Sequence, residues 1–394
     1  MDAIVYDKVG KEAAKVRDAL YGIYPQETIT DAAIASFDDG ADGLPVQKLV
    51  ANIEPVQAGS GDPSPDNVRP ISGRTGANVT RTGKNLFDPQ IFADNGGSLQ
   101  ADGSYYFASP NDLYGKYLWD NVNGYDGQLS LTWIKKDDLS ATSATAYPVV
   151  YYSDGTFANV PVSLSTQNFS TATFITSANK VVDHITCSYG TNKPGWYKLQ
   201  IELGSSATAF EEYQGTTISV TFPETIYGGK DDITTGSADS TRYLHTYSVG
   251  GGLSYNGTKA LSSRFSIPVG VNVIWIGTEI SNMFSPNWNV MGHNDNTSPY
   301  IFAVYHNSIY FTLPAEINTV EGARAWFNEH APQFLLYRAE PQTLLHDTQT
   351  LDTLYGTNNI WADTGNIKKL TYRADLGKYI DSHITAAVAN ALNA

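Results

Sequence analysis

The sequence predicts a mainly β chain: two β-sandwich domains of jelly-roll type with short helices at the ends. Three observations carry that expectation. Aromatic residues make up 12% of the 394 residues and charged residues only 16%, against roughly 25% charged in an average soluble domain, so the surface must be polar through Ser, Thr, Asn and Gly, a composition suited to sheet. Short apolar runs such as LYGKYLW, GQLSLTWI, YPVVYYS, VVDHITCSYG and GWYKLQIEL recur from about residue 84 to 215, separated by turn signals such as NVNGYDG, SDGT and NKPG. A second set of such runs follows from about 217 to 313. A hydrophobic content of 41% excludes wholesale disorder.

The elements follow in order. Tyr6, Val9, Ala13, Val16, Leu20 and Ile23 are spaced as a heptad seam that Gly10 weakens and Pro25 ends. Two readings are open: a helix bundle at an oligomer axis, or a helix packed on its own chain. A second short helix is expected from Thr30 or Asp31 to Phe37. An extended segment then runs through Pro55, Pro63, Pro65 and Pro70, residues that suit neither helix nor central strand. Residues 1–75 are read as a helix and extended attachment arm, 76–216 as a jelly-roll domain, 217–376 as a second β-rich domain, and 377–394 as a short helix. Within the second domain one amphipathic helix is expected over about 319–330, with Asn318 and Glu321 as a capping box, Val320, Ala323 and Phe327 as its apolar face and Pro332 as its stop. The C-terminal stretch repeats an apolar spacing at Ile380, Ile384, Ala387 and Ala391. Val9, Ala13, Val16, Leu20, Ile23, Ile380 and Ile384 are therefore the oligomerisation candidates, in a homo-oligomer with a trimer favoured.

Charge and motifs narrow the function. A net charge of −15 disfavours nucleic acid and anionic membrane surfaces. The N-terminal residues do not read as a signal peptide, and no run is long and apolar enough to insert in a membrane as a helix. The single cysteine, Cys187, lies in a strand-like run and is read as core. No P-loop, GxSxG elbow or HExxH motif is present. His293, Asp295 and His306 lack the spacing of a metal site. The adjacent pairs Asp137-Asp138, Glu211-Glu212 and Asp231-Asp232 point to opposite faces of a strand or into turns. The expectation is a non-enzyme without cofactor or metal.

The aromatic clusters suggest a ligand. Sugars present an apolar C–H face, so aromatic rings beside Asn and Asp suit a glycan. LYGKYLWDNVNGYDG and FSPNWNVMGHNDN both have that character. The glycan-binding candidates are Tyr117, Trp119, Asn121, Tyr125, Trp288 and Asn289. The competing reading places the rings in the core and the Asn/Asp residues in turns.

Four longer segments resemble minor structural proteins of tailed phages and prophages from Gram-positive and gut bacteria: IEPVQAGSGDPSPDNVRPISG followed by GKNLFDP, GWYKLQIELGSSATAFEEYQG, TIYGGKDDITTG, and GTNNIWADTGNIKKLTYRADLGKYI. In those proteins the second segment looks like the closing strand of a carbohydrate-binding-module-like jelly roll. The resemblance implies a virion component of tail, baseplate or fibre type, assembled in a host cytoplasm and released by lysis. Its expected partners are other virion proteins, further copies of itself and a host cell-surface glycan. A purely structural adaptor, collar or head decoration is the alternative, and a polysaccharide-degrading enzyme the third. The resemblance supplies no catalytic residues.

Overall fold

The computed structural model describes residues 27–32, 34–39, 46–121, 124–137, 146–160, 168–189, 194–247, 252–259, 261–287, 299–354, 356–363 and 367–375. The seam residues Val9, Ala13, Val16, Leu20, Ile23, Ile380 and Ile384 lie outside them, as do Trp288 and Asn289. The described chain is mainly β, as its composition requires, and none of its helices is long and apolar enough to cross a membrane.

The described residues form three large hydrophobic cores. The first belongs to a sandwich assembled from distant parts of the chain. One sheet runs in the order Glu27–Ala32, Ile367–Asp375, Val46–Ile53, Gly229–Asp232, Ser237–Thr246, Gln333–Leu345 and Val273–Ile274. The facing sheet runs Gly215–Ile226, Arg74–Thr82, Gly356–Ala362, Ile34–Asp39. Leu49, Ala51, Ile53, Val79, Ile226 and Ile360 meet between them. Every second residue of Val46–Ile53 from Leu49 on is fully buried, the period of a strand with one face on a core. This stretch, read above as part of an extended arm, is an inner strand of the sandwich.

The short helix expected from Thr30 to Phe37 is absent. Glu27–Ala32 and Ile34–Asp39 are strands, each paired antiparallel with a C-terminal strand. The β-branched Thr28, Ile29, Thr30 and Ile34 favour strand, and partners more than 300 residues away, invisible to local spacing, complete the ladders.

The second sandwich spans 86–203 and has the jelly-roll topology expected. Its eight main strands are Tyr105–Phe107, Tyr117–Asp120, Leu129–Asp137, Ala146–Tyr152, Phe157–Asn159, Ser170–Ile175, Val182–Tyr189 and Gly195–Leu203. The first, third, sixth and eighth share one sheet, extended by Ser98–Leu99; the second, fourth, fifth and seventh form the other. The eighth strand returns between the first and third, and the seventh between the second and fourth. Leu118, Leu131, Trp133, Val150, Ile185, Cys187, Tyr197 and Ile201 fill the interior.

The third core lies under a five-stranded sheet, Ser254–Lys259, Ser262–Pro268, Ser308–Pro314, Ile301–Tyr305, Ser285–Pro286, covered by the helix Val320–His330. Phe265, Phe284, Phe302, Phe311, Phe327 and Phe334 dominate it. The helix cap differs by one residue from the expected capping box: Thr319 is the N-cap and accepts a 3.0 Å hydrogen bond from the Gly322 amide. The helix ends at Ala331 in the left-handed region (φ 46°), just before Pro332.

Connectivity explains how the parts are joined. Thr82 lies opposite Gly215 in the first sandwich, so the whole jelly roll leaves and re-enters at one hairpin end. Thr246 lies opposite Gln333, so the third unit is inserted in the same manner. The two long strands flanking that insertion serve two cores: Ala238 and Leu344 enter the first sandwich, Phe334 and Leu336 the third unit. At the other edge of the large sheet Glu27 lies opposite Asp375. The strand after residues 1–26 and the strand before 376–394 therefore meet at one point of the fold.

Candidate functional site

The four-stranded sheet of the jelly roll turns one face to the core and one outward. Strand alternation divides the side chains: Leu118, Val150, Tyr152, Val182, Ile185 and Cys187 point inward. The outward positions hold one ring from each strand. Phe157 contacts Tyr151 (centroids 5.9 Å apart), Tyr151 stacks on His184 (4.6 Å, 16° between planes), and Tyr117 meets His184 edge-on (4.8 Å, 88°). With strands about 4.8 Å apart, the row spans about 14 Å across the sheet.

The two ends of the row are its accessible parts. Phe157 is 62% exposed and Tyr117 56%, large fractions for side chains that water does not favour leaving uncovered. The central rings are half-buried and turn faces toward each other. Asp183 fixes His184 by accepting a 2.7 Å hydrogen bond at its Oδ2 from Nδ1, leaving Nε2 as the second polar atom of the ring.

Of the four described residues among the glycan-site candidates, Tyr117, Trp119, Asn121 and Tyr125, only Tyr117 stands on this surface. Trp119 lies opposite core residue Ile185 in the ladder and packs against the interior. The Asn121 amide donates to the carbonyls of Tyr125 (2.7 Å) and Val182 (2.6 Å), and its oxygen accepts from the Tyr125 amide (2.7 Å). Tyr125 packs on the core and donates its hydroxyl to Gln128 O at 3.2 Å. These three residues build the loop and the core, and the polar atoms of Asn121 and Tyr125 are engaged there. Phe157, Tyr151 and His184 share no sequence motif with Tyr117 and join it only through the ladder register. Their shared signal is modest: each is a ring at an outward position of an alternating strand.

The segments that carry the family resemblance are also spent inside the fold. In the proline-rich loop, the Arg69 guanidinium donates to the carbonyls of Ala58, Gly59 and Gly61, and the Asn67 amide to those of Ser60 and Asp62. The loop then docks on the third unit, with Gln57 Nε2 donating to Ser281 O (2.7 Å) and the Arg69 amide to Asn282 O (2.8 Å). Asn85 of GKNLFDP is 2% exposed; it donates to Leu199 O and Glu211 O and accepts from the Phe87 and Ile201 amides. It ties the segment entering the jelly roll to the closing strand and the exit. Lys84 and Glu211 pair across the same junction at 2.7 Å. In TIYGGKDDITTG, Gly229 sits at φ 142° where a Cβ would come within 1.8 Å of Asp239 O, so the position requires glycine.

No family model and no curated protein matches the chain. Among solved structures the chain is similar to the N-terminal CBM22-1-CBM22-2 tandem domain of Paenibacillus barcinonensis Xyn10C, at 13% identity over 86% of this chain and 95% of that one, with a TM-score of 0.18. It is similar to the VP2 subviral particle of infectious bursal disease virus at 9% identity, over 86% of this chain and 64% of that one, with a TM-score of 0.14. Tripeptidyl peptidase 2 also matches, at 6% identity over 91% of this chain and 38% of that one, with a TM-score of 0.16. Likenesses this weak carry no argument about function.

Proposed function

We propose that this chain is a virion protein of a tailed phage, a tail or baseplate fibre that binds a glycan of the host cell surface through the jelly roll. The single observation that carries the binding reading is the row Phe157, Tyr151, His184 and Tyr117, one ring per strand on a sheet face that the described core does not use. Rings that fold stability leaves exposed at both ends of such a row suit the C–H faces of sugars. The jelly roll supplies a rigid support for them. The resemblance of the loop and junction segments to phage structural proteins supports the virion setting. Binding at one shallow row is weak, and a homotrimer presenting three rows to a polymeric surface converts weak contacts into avidity. The protein acts by binding, without catalysis or cofactor, beside other virion proteins.

The test is a pulldown of the purified, labelled protein on Gram-positive and gut bacterial cells, untreated or stripped of surface polysaccharide. The expected result is binding that disappears on stripping and falls sharply in a Phe157→Ala, Tyr117→Ala double variant with an unchanged circular dichroism spectrum. Binding that survives both treatments overturns the glycan reading, and absence of binding to either kind of cell, by folded and oligomeric protein, leaves a structural adaptor.

A further inference from the structure

We infer that the ligand of the aromatic row is an uncharged glycan chain lying across the strands. This rests on the glycan-binding reading above and goes on to the ligand's class. The four strands that carry the row, Tyr117–Asp120, Ala146–Tyr152, Phe157–Asn159 and Val182–Tyr189, contain no lysine or arginine. Their charged residues are two carboxylates, Asp120 and Asp183, and the register places Asp120 opposite His184 at the centre of the row. Asp183 is bonded to the same His184.

The nearby lysines do not change this. Lys180 is held by Asp154 (2.9 Å) and Thr156 (2.6 Å). Lys116, exposed and one residue before Tyr117, stands as one cation against two carboxylates. Recognition of a phosphate or carboxylate calls for bidentate or multiple cationic donors, which these strands lack. Net charge −15 over the whole chain adds a repulsive field for polyanions. What the row does offer is apolar ring surface at both ends with hydroxyl, imidazole and carboxylate hydrogen-bonding groups between, the complement of a neutral sugar polymer with C–H faces and hydroxyl edges.

Orientation follows from the same geometry. Each strand contributes one ring, so the accessible surfaces of Phe157 and Tyr117 are separated across the sheet. The span of about 14 Å is longer than a single sugar. An oligosaccharide that reaches both ends gains two aromatic contacts, whereas a monosaccharide gains one.

The experiment is a glycan array of neutral and acidic bacterial polysaccharides, probed with the full-length protein at low and high salt. The expected result is a preference of about tenfold or more for neutral polymers, a signal that salt leaves unchanged, and partial loss in each of Phe157→Ala and Tyr117→Ala with near-complete loss in the double variant. Binding to acidic polymers that weakens with salt and is lost in the variants overturns the neutral assignment while leaving the carbohydrate-binding reading intact. Binding to neutral polymers that neither substitution alters overturns the row as the site. Absence of binding to either class, by protein whose thermal unfolding is unchanged, overturns both readings.

Discussion

Asp231 and His346 form a buried pair whose hydrogen bonds fix its proton inventory. His346 Nε2 lies 2.7 Å from Asp231 Oδ1, and its Nδ1 lies 2.9 Å from the Asp347 carbonyl oxygen. A carbonyl oxygen accepts only, so Nδ1 carries a hydrogen and the Nε2 contact needs one more proton between imidazole and carboxyl. Burial pushes the Asp231 carboxyl above the usual carboxylate range, opposed by the bond and charge of His346. Its side chain is 0% exposed and Oδ2 has no partner. Two substitutions should then differ. Asp231→Asn keeps a donor to Nε2 and is expected to cost little at neutral pH. His346→Ala leaves a buried carboxyl alone and is expected to cost about 3 kcal/mol. A raised carboxyl pKa gives a contribution present in full below the unfolded carboxylate pKa and lost as pH rises through the folded one. Urea melts from pH 4 to pH 8 should show that loss in the wild type and not in Asp231→Asn. Equal costs for the two substitutions would refute the shared proton. Cys187 fits the same scale: it is buried, and desolvation pushes its thiol up to about 12, so it is a core residue as its strand-like context implied.

At the scale of elements, Asn85 is the buried clasp of the jelly-roll junction, beside the Lys84–Glu211 pair. Asn85 engages two carbonyls and two amides drawn from the incoming segment, the closing strand and the exit. Asn85→Ala strands buried backbone groups without partners and is expected to destabilise the jelly roll by about 3 kcal/mol, read as an earlier transition in a denaturant melt followed by tryptophan fluorescence. Asn85→Asp, which keeps the acceptor but turns a buried carboxylate oxygen toward two carbonyl oxygens, should cost at least as much at neutral pH. Such clasps explain which parts of the fold were legible in sequence. The jelly roll is readable because its short apolar runs are separated by turns that carry Gly, Asn and Asp. The helix Val320–His330 was readable from its period and from Pro332. The strands at 27–39 were not, because their partners lie beyond residue 355 and short apolar runs do not distinguish helix from strand. The aromatic row was half legible: Tyr117 was named from its cluster, but only the ladder register brings it to His184, Tyr151 and Phe157. Trp119 and Asn121 had the right composition for a ligand and were claimed by core and turn.

At the scale of the whole molecule, two insertions hang from one sandwich, and that order sets what is separable. The jelly roll begins and ends where Thr82 and Gly215 face each other across a ladder. Its core draws on residues 86–203, and of the other parts of the described chain only Trp361 packs against it. Residues 84–213 should therefore fold alone, with a single cooperative transition and the same glycan binding as the full chain measured monovalently. The remainder, with Thr82 joined to Gly215 through a two-residue Asn-Gly turn, keeps its hairpin register and should also fold. The third unit lacks this independence. Its core includes Phe334 and Leu336 of a strand that continues into the first sandwich, and the Arg69 loop fastens it at Ser281 and Asn282. Residues 247–332 expressed alone should accordingly be unfolded by circular dichroism and proteolysis. A folded 247–332 fragment, or an unfolded 84–213, would reverse this division. The excision also separates the two halves of the proposed function, because a chain lacking 84–213 should retain the oligomeric state of the parent while losing its attachment to cells.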